Sequence, residues 1–244
     1  MKMKLVLLAC IFSLTAAVGG CMNGFHGIPC KEGSGTIKKV KLEVSNFQNI
    51  TLDGAYGVFI RQDSVRGIIL ETDDNIVEHI KLESMGESIR IKTKGAICPT
   101  KINLYISSPN LTGITVNGSA DVNGIGKIDF KYFDISINGS GDVRFEDLTT
   151  QTLKARVAGS GDLFFGGVAY NSEFEIDGSG DIHADKLRSS YCDATIAGSG
   201  DMAVWADSSL RAAIHGAGDI LYYGAPRSIK TTVHGSGEIT QGKR

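Results

Sequence analysis

A tetrapeptide of the form Gly-Ser-Gly-Asp recurs seven times in the second half of this 244-residue chain, at intervals of 18 to 21 residues. The copies are Gly118-Ser119-Ala120-Asp121, Gly139-Ser140-Gly141-Asp142, Gly159-Ser160-Gly161-Asp162, Gly178-Ser179-Gly180-Asp181, Gly198-Ser199-Gly200-Asp201, Gly216-Ala217-Gly218-Asp219 and Gly235-Ser236-Gly237-Glu238. A fixed period near twenty, with one turn signal per period, points to a solenoid in which each repeat is one coil. Helices are excluded, because the apolar residues between the turns alternate with period two and glycine pairs interrupt every helical window. An antiparallel barrel or sandwich also uses short strands, yet gives no reason for one turn sequence to return at one period.

The coils can be read face by face. Around Gly139, Ile135 and Ile137 point inward while Asp134, Ser136 and Asn138 point out; after the turn Val143 and Phe145 resume the inward side. Successive coils repeat this with Ala155, Val157, Leu163 and Phe165, with Phe174, Ile176, Ile182 and Ala184, and with Ala194, Ile196, Met202 and Val204. A third inward position is expected at Leu148, Val168, Leu187 and Leu210. Each coil thus supplies two clear strands and a weaker third, and stacking in register makes parallel sheets about 4.8 Å per layer. Outward residues of neighbouring coils, Arg144, Phe164 and His183, line one stripe.

Upstream, alternation at Val40 to Val44, Val58 to Ile60, Ile68 to Leu70, Ile89 to Ile91 and Ile102 to Ile106 predicts further short strands. Asp53-Gly54-Ala55-Tyr56-Gly57-Val58 reads as a worn copy of the turn, although it lies far from Gly118. Asp73-Asp74-Asn75 ahead of Ile76 and Val77 is expected to cap one short helix. Residues 36–115 therefore look like less regular coils, including a cap.

Residues 1–20 carry Lys2 and Lys4, the apolar run Leu5 to Leu14, and small residues leading into Val18-Gly19-Gly20-Cys21. The run is too short for a membrane span and reads as a signal peptide. The Val-Gly-Gly-Cys sequence is similar to a bacterial lipobox, which makes Cys21 the expected lipidated N-terminus of the mature chain. Residues 21–35 then form a tether, and residues 36–244 a single elongated domain. Export makes Cys30 and Cys98, both in turn-like segments outside the repeats, candidates for a disulfide. Cys192 alternates in phase with Ala194 and Ile196, so it is expected to be a buried free thiol. Removing the leader takes two lysines and no acids from a chain of formal charge −2, leaving about −4, which does not favour nucleic acid.

Two glycines around a serine are expected to supply positive φ for a sharp bend, with serine and aspartate accepting hydrogen bonds from turn amides. Stacked in register, Asp121, Asp142, Asp162, Asp181, Asp201, Asp219 and Glu238 would form a carboxylate ladder, and repulsion between them would welcome cations, calcium above all. Two acids about 5 Å apart would also suit a retaining glycosidase. A catalytic pair should be singular, however, and here the acid is in every coil, so no catalytic residue is assigned. His215 and His234 occupy equivalent outward positions in successive coils, a placement from which they could share a metal or simply be solvated. Motifs for a nucleophile elbow, a zinc knuckle or a dinucleotide fold are absent from the sequence.

The lipobox, the strand Ile37 to Phe47 leading into Ile50-Thr51-Leu52, the segment Leu111 to Ser119 and the serial turns together make the chain similar to the head GIN domain family of putative auto-transporter adhesins, exported proteins of Bacteroides-like bacteria. The resemblance covers about residues 36 to 240. It implies a right-handed parallel β-helix on an exported, often lipid-anchored protein, and carries over neither a known ligand nor catalytic residues; the long ribbed surface of a solenoid suits an extended partner such as a glycan or protein. Cys21 is followed by Met22-Asn23-Gly24-Phe25, without the acidic cluster of many surface-exported lipoproteins. Both the periplasmic and the cell-surface side of the outer membrane stay open, as do a polysaccharide-active enzyme and a purely structural envelope protein.

Overall fold

The structure is a computed structural model, and residues 29–243 are described. The expected leader and Cys21 lie outside the described residues. From Gly113 onward the chain winds as a parallel β-solenoid, each strand pairing in parallel with its equivalent one coil away. The strands before the turns make a first sheet, in which Ile135, Ala155, Phe174, Ala194 and Ala212 fall into one inward column. The strands after the turns make a second, in which Val122, Val143, Leu163, Ile182, Met202 and Ile220 form the facing column. All of these side chains are buried. One continuous aliphatic core, made by the period-two alternation, is what holds the coils together.

The third inward position departs from expectation at two coils. Register shifts after Phe145 and after Phe164 place Gly167, not Val168, opposite Leu148 and Leu187. The extra residue lies in the neighbouring coils, between Phe145 and Leu148 and between His183 and Lys186; the coil of Val168 lacks it and keeps strict alternation, so Val168 is 54% exposed and Ala169 is buried in its stead. Leu210 is buried, but it pairs with Cys192 in the first sheet rather than continuing the Leu148 column. Cys192 itself is a free thiol, and burial pushes its pKa up to about 12.

The N-terminal coils are stacked out of sequence order. Asn49–Asp53 lies between Ser88–Thr93 and Gly113–Val116, with Ile50 in register with both Ile89 and Ile114. Gly57–Gln62 likewise lies between Ile102–Ser108 and Asp121–Gly124. After the first full coil the chain therefore passes to the far side of that coil, builds a layer there, and returns to continue the stack. Among the described residues antiparallel pairing is confined to this end: Gly67–Asp73 joins Ile37–Leu42 to Ile102–Ser108, and Ile80–Met85 forms a hairpin with Ser88–Thr93 through Gly86 at φ 63. The edge strand Ile37–Leu42 carries Lys38, Lys39 and Lys41, charges that discourage pairing with another chain.

Two expectations at this end change. Asp73, Asp74 and Asn75 cap no α-helix; a single 3₁₀ turn, Val77–His79, follows without a side-chain cap. Their side chains instead fasten the segment expected to be a loose tether. Asn75 accepts from the Ser34 amide and donates to the Glu32 carbonyl, Asp74 accepts from the Ser34 hydroxyl, and Asp73 accepts from the Gly35 amide. Lys31–Glu32 pairs with Ile97–Cys98, and Cys30 is disulfide bonded to Cys98 with a Cα separation of 5.7 Å. From Cys30 on, the tether is part of the domain.

Candidate functional site

The seven turns stack directly on one another. The amide of the second residue of each copy donates to the carbonyl of the first glycine one coil before: Ser140 to Gly118, Ser160 to Gly139, Ser179 to Gly159, Ser199 to Gly178, Ala217 to Gly198 and Ser236 to Gly216. The column begins at Ser119, which donates to Gly54, so the worn copy at Asp53 to Val58 is the first turn of the stack. The glycines are needed for this contact and not for a left-handed backbone. Of the repeat glycines only Gly235 has φ inside the positive range, at 156. A Cβ on Gly139, in contrast, would lie 1.9 Å from the Gly118 carbonyl oxygen, and one on Gly141 would lie 2.0 Å from that of Ala120.

The acids form their own ladder. The Asp142 amide donates to the Asp121 carboxylate at 3.1 Å, and the bond recurs from Asp162 to Asp142 (2.9 Å), Asp181 to Asp162 (2.8 Å) and Asp201 to Asp181 (2.7 Å). Asp219 to Asp201 and Glu238 to Asp219 complete it, both at 2.7 Å. At this corner the main chain has turned away from sheet pairing, and the carboxylate stands in for the missing carbonyl rung. A charged acceptor makes such a rung stronger than a neutral one. Replacing Asp162 with Ala should therefore cost about 1–2 kcal/mol by orphaning the Asp181 amide, while Asn, which keeps the oxygen, should cost well under about 1 kcal/mol. Urea denaturation of the two variants checks this; equal losses would contradict it.

Among the described residues no group of three or more His, Cys, Asp or Glu is arranged to hold a metal ion. His215 and His234 stack with ring centroids 5.4 Å apart and planes at 18°.

The outer faces of the two sheets differ in kind. On the first sheet, charges are matched across coils: Lys154 with Glu173 at 2.7 Å, Arg211 with Asp193 at 2.9 Å, and Arg156 with both Glu175 and Asp177. On the second sheet, planar groups stack. Arg144 lies 3.9 Å over the Phe164 ring, which stacks on His183 at 4.7 Å, so the three stripe residues picked from the sequence are in contact. The same outward row continues through Asn123 to Phe59 and Tyr105, themselves stacked at 5.2 Å. Phe59 and Tyr105 were not selected from the sequence. Their outward phase on two strands was readable, but their adjacency was not, since it depends on the out-of-order layer.

Beside Tyr105 lies Glu71, a nearly buried carboxylate. The Lys101 ammonium at 2.9 Å and the Tyr105 hydroxyl at 2.8 Å hold its pKa at about 2, against an ordinary 4.5. The Thr100 hydroxyl similarly lowers Asp73. A depressed folded pKa gives stability that is present above the unfolded value and is lost as pH falls from about 4.5 towards about 2. Glu71→Gln should flatten that acid limb when urea midpoints are followed against pH; an unchanged limb would contradict this role for the network.

Fold and surface together define the protein's class: a parallel β-solenoid with turn-forming acids along one edge and a ribbed face of rings and cations. Within that class the chain belongs to the family described as putative auto-transporter adhesin, head GIN domain, whose model matches residues 46–226. A solved structure of a putative adhesin from Bacteroides fragilis is 26% identical, with a TM-score of 0.81, covering 86% of this chain and 99% of that one. A putative lipid binding protein from Parabacteroides distasonis (23% identity, TM-score 0.75, 88% of this chain and 100% of that one) shares the fold. So does a putative adhesin from Parabacteroides merdae (22%, TM-score 0.71, 87% and 98%). No curated protein matches the chain.

Proposed function

We propose that this chain is an exported, lipid-anchored, non-catalytic binding module, an adhesin that holds an extended glycan or protein ligand against the outer face of its second sheet. The observation that carries this reading is the contrast between the two faces. The first sheet matches its charges in pairs across coils, whereas the second carries a guanidinium, a phenyl and an imidazole in an outward stack, with Arg144 also 3.7 Å from Glu146. Flat rings and cations in a row suit sugar faces and extended peptides. The repeat acids belong to the turns in this reading. Each serves the next coil in the same way, which supports neither a catalytic pair at Asp162 and Asp181 nor a dedicated calcium ladder.

The family description and the lipobox-like leader support export and anchoring through Cys21. The test uses beads coated with the purified protein on immobilised glycans and mucin-type glycoproteins. Saturable attachment that falls at least about tenfold in Arg144→Ala/Phe164→Ala, and is retained in Asp162→Asn, is the expected result. Attachment no better than that of bare beads, or equal attachment by the stripe variant, would overturn the reading.

A further inference from the structure

Towards the N-terminal cap the outer face of the second sheet sinks into a groove of ≈560 Å³, a volume within the range of small-ligand sites. Its floor is an apolar row: Ile69, Tyr105 and Phe59 lie in register on three neighbouring strands. The next row is low, because Gly67 and Ser107 stand beside each other there. Val65 and Ile125 wall the groove and are 66% and 39% exposed, and Ile69 on the floor is 42% exposed. A loop and two strands thus leave a trough of uncovered aliphatic and aromatic surface.

The rim is cationic. Lys39, Lys41, Arg61 and Arg66 line the groove against a single acid, Asp63, in a chain whose formal charge is −2. Lys39 is shared with Glu71 at 3.6 Å, and Arg66 is tied to the Phe47 carbonyl at 3.1 Å. The side chains of Lys41 and Arg61, in contrast, have no ion pair, hydrogen bond or ring contact among the described residues. They stand at opposite ends of the trough, Lys41 on the edge strand and Arg61 beyond Phe59. Unpaired cations beside an apolar floor are complementary to a molecule with a hydrocarbon body and a negative head.

We propose that this groove binds a monomeric anionic amphiphile, an acyl chain with a carboxylate or phosphate head, laid along Ile69, Tyr105 and Phe59 with its head on the rim cations. The site goes beyond the adhesive stripe: it lies further along the same outward row and uses none of Arg144, Phe164 and His183. Calorimetric titration of the purified protein with dodecanoate, below its micelle concentration, tests it. The neutral amphiphile dodecyl maltoside and inorganic phosphate serve as comparisons, with melting temperatures confirming that each variant is folded.

The expected result is saturable binding of one dodecanoate per chain. Binding should be at least about tenfold weaker for dodecyl maltoside and for Lys41→Gln/Arg61→Gln, undetectable for phosphate alone, and lost in Ile69→Glu. Arg144→Ala/Phe164→Ala should bind dodecanoate like the parent, so loss of adhesion and loss of this site are separable. Absence of dodecanoate binding, equal affinity for the neutral amphiphile, or unchanged affinity in Lys41→Gln/Arg61→Gln would overturn the proposal.

Discussion

Gly159→Val should lose at least about 3 kcal/mol of stability. The added Cβ would sit 1.9 Å from the Gly139 carbonyl oxygen and 2.9 Å from its carbon. That oxygen already accepts from Ser160, and Gly178 stacks in the same way on Gly159 from the other side. Neither neighbour is a flexible side chain that can step aside; both are backbone inside a continuous hydrogen-bonded column, so the coils must part or the ladder must break. Ser160→Ala is the matched control, since Ala217 already fills the serine position of one copy, and it should change stability by less than about 0.5 kcal/mol. Urea midpoints of the two variants measure the contrast. A valine variant as stable as the parent would mean that the turns are not in contact.

Removing the Cys30–Cys98 disulfide by replacing both residues with serine should cost roughly 4 kcal/mol in the chain-entropy account, since the bond spans a sequence separation of 68. The closed loop holds the edge strand Ile37–Leu42, the first full coil and the first strand of the layer beneath it, Ser88–Thr93, so the bond constrains the end of the fold that is stacked out of sequence order. Calorimetric unfolding with and without reductant measures the loss. A change below about 1 kcal/mol would show that Asp73, Asp74 and Asn75 hold residues 32–35 in place without it.

The repeating half was legible in the sequence because one physical rule, alternation about an aliphatic core, governs every coil. Ile135, Val157, Leu163 and Met202 lie inside as their phase requires. Val168 departs because the neighbouring coils carry an extra residue, between Phe145 and Leu148 and between His183 and Lys186, that the coil of Gly166 and Gly167 lacks. Sequence reasoning also misassigned the purpose of the glycines: composition shows that a side chain is excluded, but only the stacked carbonyl of the previous coil shows why. The cap was least readable. Asp73 to Asn75 carry the residue types of a helix cap, and their true partners, 38 to 43 residues away for Gly35, Ser34 and Glu32, are fixed by tertiary structure alone. For the same reason the stripe of Arg144, Phe164 and His183 was found from its twenty-residue spacing, while the groove between Lys41 and Arg61 was not.

Amide hydrogen exchange at the repeat acids tests most directly whether those acids belong to the fold. If each carboxylate occupies the next turn's amide, the amide protons of Asp142, Asp162, Asp181, Asp201 and Asp219 should exchange slowly, at rates that millimolar calcium leaves unchanged. Exchange at the rate of open loops, or protection that appears only when calcium is added, would make the ladder a cation site and contradict the account.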